Sequence, residues 1–226
     1  MPSLYNFPEI RPYLNYFSMD GVFMMKMTKV LWCTVVILLL FAVGSMTGDL
    51  DSVQQGVVRL HVVADSDQYE DQQVKIAVKD AVVAYLKENM KTTGSTQEAK
   101  QYLNESIDSI KAVAENTLLA NGFDKQVSVT LAKEEFMSRD YDTFSLPSGV
   151  YDALRITIGS GKGKNWWCVV FPSLCLGATT NEFKSIAVTS GFDNQLTNTL
   201  AKDEGYEIRF FFLDCLGKIE NFLHFG

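Results

Sequence analysis

The sequence has few of the residues from which metal sites and nucleophilic active sites are built. Its 226 residues include two histidines and four cysteines. Cys168 and Cys175 are separated by six residues, and no second Cys or His pair stands at the spacing of a zinc site. We therefore expect no metal and no cofactor.

The chain also lacks a basic excess. Its formal net charge is −7, and 17 basic residues stand against 25 acidic ones after position 46. A chain of this charge is repelled by phosphate backbones and by anionic membrane surfaces. Nucleic acid is thus excluded as an expected partner, and so is an anionic membrane surface.

Long apolar runs are absent apart from Val30–Val43, which only Thr34 interrupts. Lys26 and Lys29 precede this run, and Gly44-Ser45-Met46 follows it, as in a signal peptide with its small-residue cleavage site. The run is shorter than the roughly 20 residues of a comfortable membrane span. Residues 24–46 are therefore predicted to be either a cleaved signal peptide or an uncleaved anchor, and the protein is predicted to be exported.

Residues 1–23 show no periodicity, and Met24 or Met25 would begin an ordinary signal sequence. We interpret residues 1–23 as an unstructured upstream extension. Residues 55–226 contain enough Val, Ile, Leu and Phe for a single domain with its own core.

Hydrophobic periodicity predicts an α+β fold in which two amphipathic helices pack on a mixed, largely antiparallel sheet. The predicted helices cover about 68–90 and 96–121, and the predicted strands cover 56–64, 127–132, 150–158 and 165–172. Residues 177–204 are polar and predict a long loop. Residues 205–213 predict a last strand, followed by a short helix capped by Asp214.

Two local features complete the predicted fold. The glycine-rich link at 159–164 is short, so residues 150–172 predict one hairpin with a mobile, basic tip. Asp67 and Glu70 have the spacing of a capping box at the start of the first helix. The carboxylates of this acidic turn do not match a calcium loop, because an EF-hand would need Gly at position 70 and Glu at position 76.

Two cysteines and two tryptophans are concentrated in residues 165–175. In an exported protein a Cys168–Cys175 disulfide is the favoured interpretation, with buried free thiols as the alternative. Cys215 is then left over. Trp166 and Trp167 are adjacent on a strand, so they point to opposite faces, and an exposed Trp is a good anchor for a partner protein.

A cysteine nucleophile would require a base, and His61 is the histidine of the folded core that could serve Cys168 or Cys175. This arrangement would make the protein an exported cysteine-dependent hydrolase. A lone histidine on an apolar strand is more often structural, and a disulfide would remove the nucleophile. We therefore expect that the protein is not an enzyme and retain the hydrolase as the alternative.

Several segments resemble stage II sporulation protein R of endospore-forming Firmicutes. They are residues 58–67, Asp71-Gln72, residues 151–155 and residues 163–175, in the same order and with similar spacing. The resemblance implies a signalling protein that the forespore exports into the space facing the mother cell. There it would activate a membrane-embedded aspartic peptidase that processes the precursor of the mother-cell sigma-E factor.

The resemblance makes the peptidase the expected partner, with membrane contact through residues 24–46 if they are uncleaved and with no small-molecule substrate. We expect the contact residues to lie at the end of the first strand and at the hairpin. They are Arg59, His61, Asp65, Ser66, Asp67, Lys162, Lys164, Asn165 and Trp166.

Overall fold

The computed structural model describes residues 16–90, 94–172, 180–202 and 208–225. The chain divides into two compact units, Met1–Ser45 and Met46–Gly226. The helices are α1 (Tyr16–Gly56), α2 (Tyr69–Asn89), α3 (Thr96–Glu105), α4 (Ile107–Ala120), α5 (Thr180–Thr189), α6 (Asn194–Leu200) and α7 (Ile208–Phe225). The strands are β1 (Val58–Val63), β2 (Val127–Phe136), β3 (Arg139–Asp140), β4 (Ser145–Leu146), β5 (Gly149–Ile158) and β6 (Asn165–Phe171).

The first unit contains most of an apolar helix. Met24–Gly56 is helical and has an 18-residue window with a mean hydropathy of 2.3, so its length and composition would allow it to cross a membrane. An N-terminal apolar helix of this kind is compatible with a signal or anchor segment.

The second unit is built on a four-stranded sheet with the order β2-β5-β1-β6. β1 runs parallel to β5, whereas the β1–β6 and β2–β5 pairs are antiparallel. The predicted α+β class with a mixed, largely antiparallel sheet is confirmed. The predicted hairpin of residues 150–172 is wrong, because β1 lies between β5 and β6. The short linker showed that β5 and β6 are close in the sequence. It could not show that β1 lies between them in the sheet.

The first hydrophobic core lies between one face of the sheet and α2, α3 and α4. Strand β1 contributes Val58, Leu60 and Val62, and α2 contributes Val74, Val78 and Val82, all buried. The predicted long second helix is divided into α3 and α4 at Ser106. The backbone of this buried residue is not helical. α4 ends as predicted, because Gly122 has a φ of 81° and Phe123 N donates to Leu118 O in a Schellman motif.

The second core covers the other face of the sheet with residues of α1, α5, α6 and α7. Two predictions fail here. Within the predicted loop 177–204 the structure has α5 and α6, which bury Phe183 and Leu196, and Asp193 caps α6 by accepting from Leu196 N at 2.7 Å. Each helix is too short for its period to be seen in sequence. Residues 173–179 and 203–207 lie outside the described part of the chain.

The predicted strand 205–213 is also wrong from Ile208 onwards, where α7 begins. A run of aromatic residues favours a strand locally, but packing against the sheet favours the helix. Asp214 lies inside α7 and does not cap it. Its Oδ1 accepts a hydrogen bond from Ser148 N at 2.9 Å and so attaches α7 to the turn before β5.

Candidate functional site

The connection between β5 and β6, residues 159–164, crosses over the carboxyl end of β1. Because β1 is parallel to β5 and antiparallel to β6, this connection must pass the end of β1 to reach its other side. Gly163 N donates to Ala64 O at 2.9 Å, and Lys162 N donates to Asp65 O at 3.1 Å. The crossover loop, as we name residues 159–164, is thus bound to the chain beneath it, in contrast to the mobile tip that the sequence predicted.

Gly163 is required by the closeness of this contact. A Cβ atom at this position would lie 2.3 Å from Ser66 O and 2.8 Å from Ala64 Cβ. Both distances are shorter than real Cβ contacts, and the nearer atom belongs to the backbone. Only glycine therefore allows the crossover loop to pass so close to the end of β1.

The acidic turn after β1 holds the crossover loop by its side chains. Asp65 Oδ1 accepts from Ser160 N at 2.6 Å, and Asp67 Oδ1 accepts from Lys164 N at 2.8 Å. The predicted capping box is therefore wrong. The cap position of α2 is Gln68, which makes no side-chain capping bond, because the nearby carboxylates bind the loop instead.

Lys125 joins the two carboxylates on either side of this turn. Its Nζ lies 2.5 Å from Asp65 Oδ2 and 2.7 Å from Asp71 Oδ1. The hydrogen bonds from Lys125 lower the pKa of both carboxyl groups, and the two carboxylates raise the pKa of Lys125. Ser66 adds a donor, with its Oγ 2.5 Å from Asp71 Oδ2. The turn is thus fixed to α2 and to the segment before β2.

Lys75 supports the crossover loop from α2. Lys75 is buried, with 4 % of its surface exposed. Its Nζ donates to Lys164 O at 2.9 Å and to Gln72 Oε1 at 2.7 Å. Burial lowers the pKa of Lys75. A buried ammonium group that binds a loop carbonyl fixes the position of that loop.

Five predicted contact residues are exposed, of which Asp67 lies in the turn after β1. The other four lie within residues 162–166, and we call them the crossover surface, namely Lys162, Lys164, Asn165 and Trp166. Trp166 is 39 % exposed, and the ammonium group of Lys79 lies 4.8 Å from the centroid of its ring. The crossover surface therefore presents an aromatic ring at the start of β6, beside basic groups of the hydrogen-bonded crossover loop.

Arg59 does not reach this surface. It is 1 % exposed, and its guanidinium lies over Phe136, 4.0 Å from the ring centroid. Nη2 donates to Tyr141 Oη at 3.1 Å, while Nε and Nη1 have no hydrogen-bond partner among the described residues. A side chain buried in this way stabilises the second core and is not available for contact, which corrects the prediction for Arg59.

His61 is also buried, at 7 % exposure. Its Nδ1 lies 2.7 Å from Glu134 Oε2, and its Nε2 lies 3.0 Å from Asn165 Oδ1. Its ring stacks on Trp167, with centroids 5.9 Å apart. His61 is therefore a hydrogen-bonded structural histidine that connects the buried face of the sheet with Asn165 at the crossover surface, and its predicted direct contact is corrected in the same way.

Glu134 reaches His61 from two strands away. The strand registers place Ala153 between them on β5, and its small side chain leaves room for the contact. Glu134 also lies 3.5 Å from Arg155 Nη1. Burial alone would raise the pKa of Glu134, but its hydrogen bonds and charge interactions with His61 and Arg155 lower it below the ordinary value.

The cysteine and histidine of the hydrolase alternative lie on opposite faces of the sheet. Cys168 pairs with Leu60 and lies in the first core, whereas His61 pairs with Trp167 and faces the other way. Cys33 and Cys215 are the free cysteines of the described chain, and Cys168 is not among them. Cys175 lies outside the described residues, so the Cys168–Cys175 disulfide stays a prediction.

The structure brings together Asp65, Ser66, Asp67 and the crossover surface, as the predicted set implied. Sequence reasoning missed the lysines and the glutamate that hold them, which are Lys75, Lys79, Lys125 and Glu134. Lys75 stands in the sequence between Val74 and Val78, two residues of the apolar face of α2, and this was a weak indication that it is buried. Neither Lys125 nor Glu134 is marked by any local pattern. Within the described ranges, no group of three or more His, Cys, Asp or Glu could hold a metal ion.

Comparison with known proteins identifies the family. Residues 54–181 match the model of the family "Stage II sporulation protein R". The chain is also 38 % identical over 118 residues to stage II sporulation protein R of Bacillus subtilis strain 168. This alignment covers 52 % of the chain and 53 % of the relative, so the chain spans about half the length of the curated relative that it matches. No solved structure matches the chain. The matched region contains β1, α2 and the whole crossover surface, and the chain belongs to the stage II sporulation protein R family.

Proposed function

We propose that this sporulation protein is an exported intercellular signal, which the forespore releases toward the mother cell. It activates a membrane-embedded aspartic peptidase that processes the precursor of the mother-cell sigma-E factor. Residues 24–46 act as its signal or anchor, and residues 55–226 form the exported domain. Family membership supports the role in sporulation, and the N-terminal apolar helix supports export.

The observation that carries the proposal is the crossover surface. Asn165 and Trp166 stand at the start of β6. Beside them, Lys162 and Lys164 stand on the crossover loop, which is fixed by Asp65, Asp67 and Lys75. Rigid aromatic and basic anchors contribute most to binding energy, because little conformational entropy is lost when they are immobilised. The crossover surface is therefore suited to bind a protein partner with an apolar pocket and acidic neighbours.

The proposal assigns binding and no chemistry to the domain. Cys168 and His61 lie on opposite sheet faces, and both nitrogens of His61 are occupied by Glu134 and Asn165. Such an arrangement provides no free base for a thiol in the described part of the chain. His61, Asp65 and Asp67 fix the position of this surface through hydrogen bonds to Asn165, Ser160 and Lys164. The side chains of Arg59 and His61 are buried and do not themselves contact the partner.

The test is co-expression of the full chain with the sporulation peptidase and its sigma precursor. We expect the double variant Trp166→Ala with Lys164→Ala to abolish most processing of the precursor. The matched control is Leu119→Ala with Lys111→Ala, which removes an exposed apolar residue and an exposed lysine from α4. Normal processing by the first variant, with equal amounts of both proteins, would show that the contact surface lies elsewhere.

A further inference from the structure

Helix α7 is apolar on two opposite sides. Phe210, Leu213 and Gly217 face the second core and are buried. The solvent side carries large apolar side chains that are 47 to 76 % exposed, namely Phe211, Phe212, Ile219, Phe222 and Leu223. We call these five residues the α7 stripe. A continuous exposed apolar patch of this kind marks a surface that contacts protein or a membrane.

The spacing of the stripe residues makes the exposed surface continuous. Position 219 follows 212 by seven residues and precedes 222 and 223 by three and four, and position 222 follows 211 by eleven, so all five share one helical face. Three of the five side chains are phenylalanines. Aromatic and large aliphatic side chains on one side of a helix are typical of helices that lie in the interface of a bilayer.

The α7 stripe adjoins the segment of the second unit that follows the apolar run. Thr47, Leu50 and Asp51 form a groove with Leu216, Ile219, Glu220 and Leu223. Arg209 forms an ion pair with Asp49, and Gln54 Nε2 donates to Glu220 Oε2. These contacts fix α7 against residues 47–54.

The chain connection limits how far this groove can lie from a membrane that holds the apolar run. Thr47 follows Val43, the last residue of the run, by four positions. Even a fully extended chain spans at most about 3.6 Å per residue, so Thr47 lies within roughly 15 Å of the membrane interface in any orientation. An adjoining apolar stripe on an anchored chain is therefore held at high effective concentration next to lipid.

We propose that the α7 stripe lies in the headgroup region of the membrane in which residues 24–45 are embedded. The contact is apolar and not electrostatic, since the exported part of the chain is acidic. It therefore requires no anionic lipid. This inference depends on retention of the anchor and is independent of the proposed activation of the peptidase.

The test uses the full chain reconstituted in phosphatidylcholine vesicles. Cys33 and Cys215 are replaced by Ser, and a bimane fluorophore is attached to Phe222→Cys. The matched control carries the fluorophore at Leu119→Cys on α4, a position that is 60 % exposed. A sample without an engineered cysteine measures any background from other thiols. Both substituted side chains are exposed, so neither change removes core packing.

We expect bimane at position 222 to emit at shorter wavelength and to be quenched by lipids that carry a spin label near the headgroup. The control should be quenched by aqueous iodide and not by these lipids. Addition of phosphatidylglycerol should leave both results unchanged. Equal iodide quenching at positions 222 and 119 would overturn the proposal. Protection from iodide without lipid quenching, together with disulfide-linked dimers of Phe222→Cys, would also overturn it, because a second copy would then cover the stripe.

Discussion

The ammonium group of Lys75 lies 2.9 Å from the backbone carbonyl oxygen of Lys164. A helix that packs on one face of the sheet is thereby joined to the loop that carries the proposed contact surface. The stability of the domain and the shape of that surface therefore depend on the same buried contacts.

Lys75→Met should loosen the crossover loop. The variant keeps the apolar length of the side chain but removes the donor to Lys164 O, so we expect faster hydrogen exchange of residues 159–165. The free energy of unfolding should change by less than about 1 kcal/mol, because loss of the hydrogen bond is offset by relief from burying a charge. Lys87→Met, at an exposed position of the same helix, is the control. Unchanged exchange in the loop would show that Lys75 does not hold it.

The dependence of the unfolding free energy on alkaline pH provides a second test of Lys75. Because burial lowers its pKa in the folded state, the unfolded chain binds more protons between the lowered pKa and about 10.4. Rising pH through this window should therefore stabilise the wild-type chain relative to Lys75→Met. A pH-independent difference between the two proteins would contradict this account.

Lys125→Met should lower the free energy of unfolding at neutral pH. The further decrease of this free energy in acid should be smaller than in the wild-type chain. The folded pKa values of Asp65 and Asp71 are lowered, so their contribution is present above about pH 4 and is lost as pH falls through the folded values. We expect a decrease of about 1–2 kcal/mol at pH 7 that shrinks toward pH 2. Urea unfolding in detergent measures both. Lys111→Met removes an exposed pair with Glu115 and should cost less than about 0.5 kcal/mol.

Glu134→Ala should destabilise the domain by about 1–3 kcal/mol, because His61 Nδ1 and Arg155 lose their acceptor in a partly buried site. Glu135→Ala changes the neighbouring exposed residue on the other face of β2 and should leave the unfolding free energy nearly unchanged. If the two variants were equally stable, the hydrogen bond between Glu134 and His61 would contribute nothing.

Gly163→Ala should destabilise the domain by about 1–3 kcal/mol, since its Cβ would meet Ser66 O at 2.3 Å. Gly94→Ala is the control, because its nearest neighbour would be Glu98 Oε2 at 3.8 Å. This change should stabilise the chain slightly, by about 0.4–1 kcal/mol. Equal melting temperatures for wild type and Gly163→Ala would mean that the loop moves away from the end of β1 without cost.

Thiol alkylation tests the predicted Cys168–Cys175 disulfide. Before reduction, Cys33 and Cys215 should react in the denatured chain, whereas Cys168 and Cys175 should react only after reduction. Mass spectrometry of the alkylated peptides assigns each site. Reaction of all four cysteines without a reductant would refute the disulfide.

The sequence was informative where a pattern is local and repeated. Val74, Val78 and Val82 at helical spacing predicted α2, and alternation from Val127 predicted β2. The position of β1 between β5 and β6 was not predictable, because the hydrophobic pattern of a strand does not show which distant strand it pairs with. The α7 prediction failed where packing against Ser148 outweighed local β-propensity.

The candidate site was predicted only in part, because local charge is visible in the sequence and contacts between distant segments are not. The cluster of Asp65, Asp67 and the basic loop residues was visible as charge in the sequence, and the structure does bring these segments together. The burial of Arg59 and His61 was not recognised, because a polar or charged residue on a strand is normally assigned to the exposed face. Their partners, Tyr141 and Glu134, come from segments more than 70 positions away.

The central place of β1 determines the order in which the domain can form. β1 is synthesised first, but its neighbours in the sheet are β5 and β6, which begin only at Gly149 and Asn165. Until then β1 is an unpaired apolar strand, and the sheet cannot close before the crossover loop has been synthesised. Arrival of this late segment both completes the core and creates the proposed contact surface. A chain interrupted before residue 171 would therefore lack both.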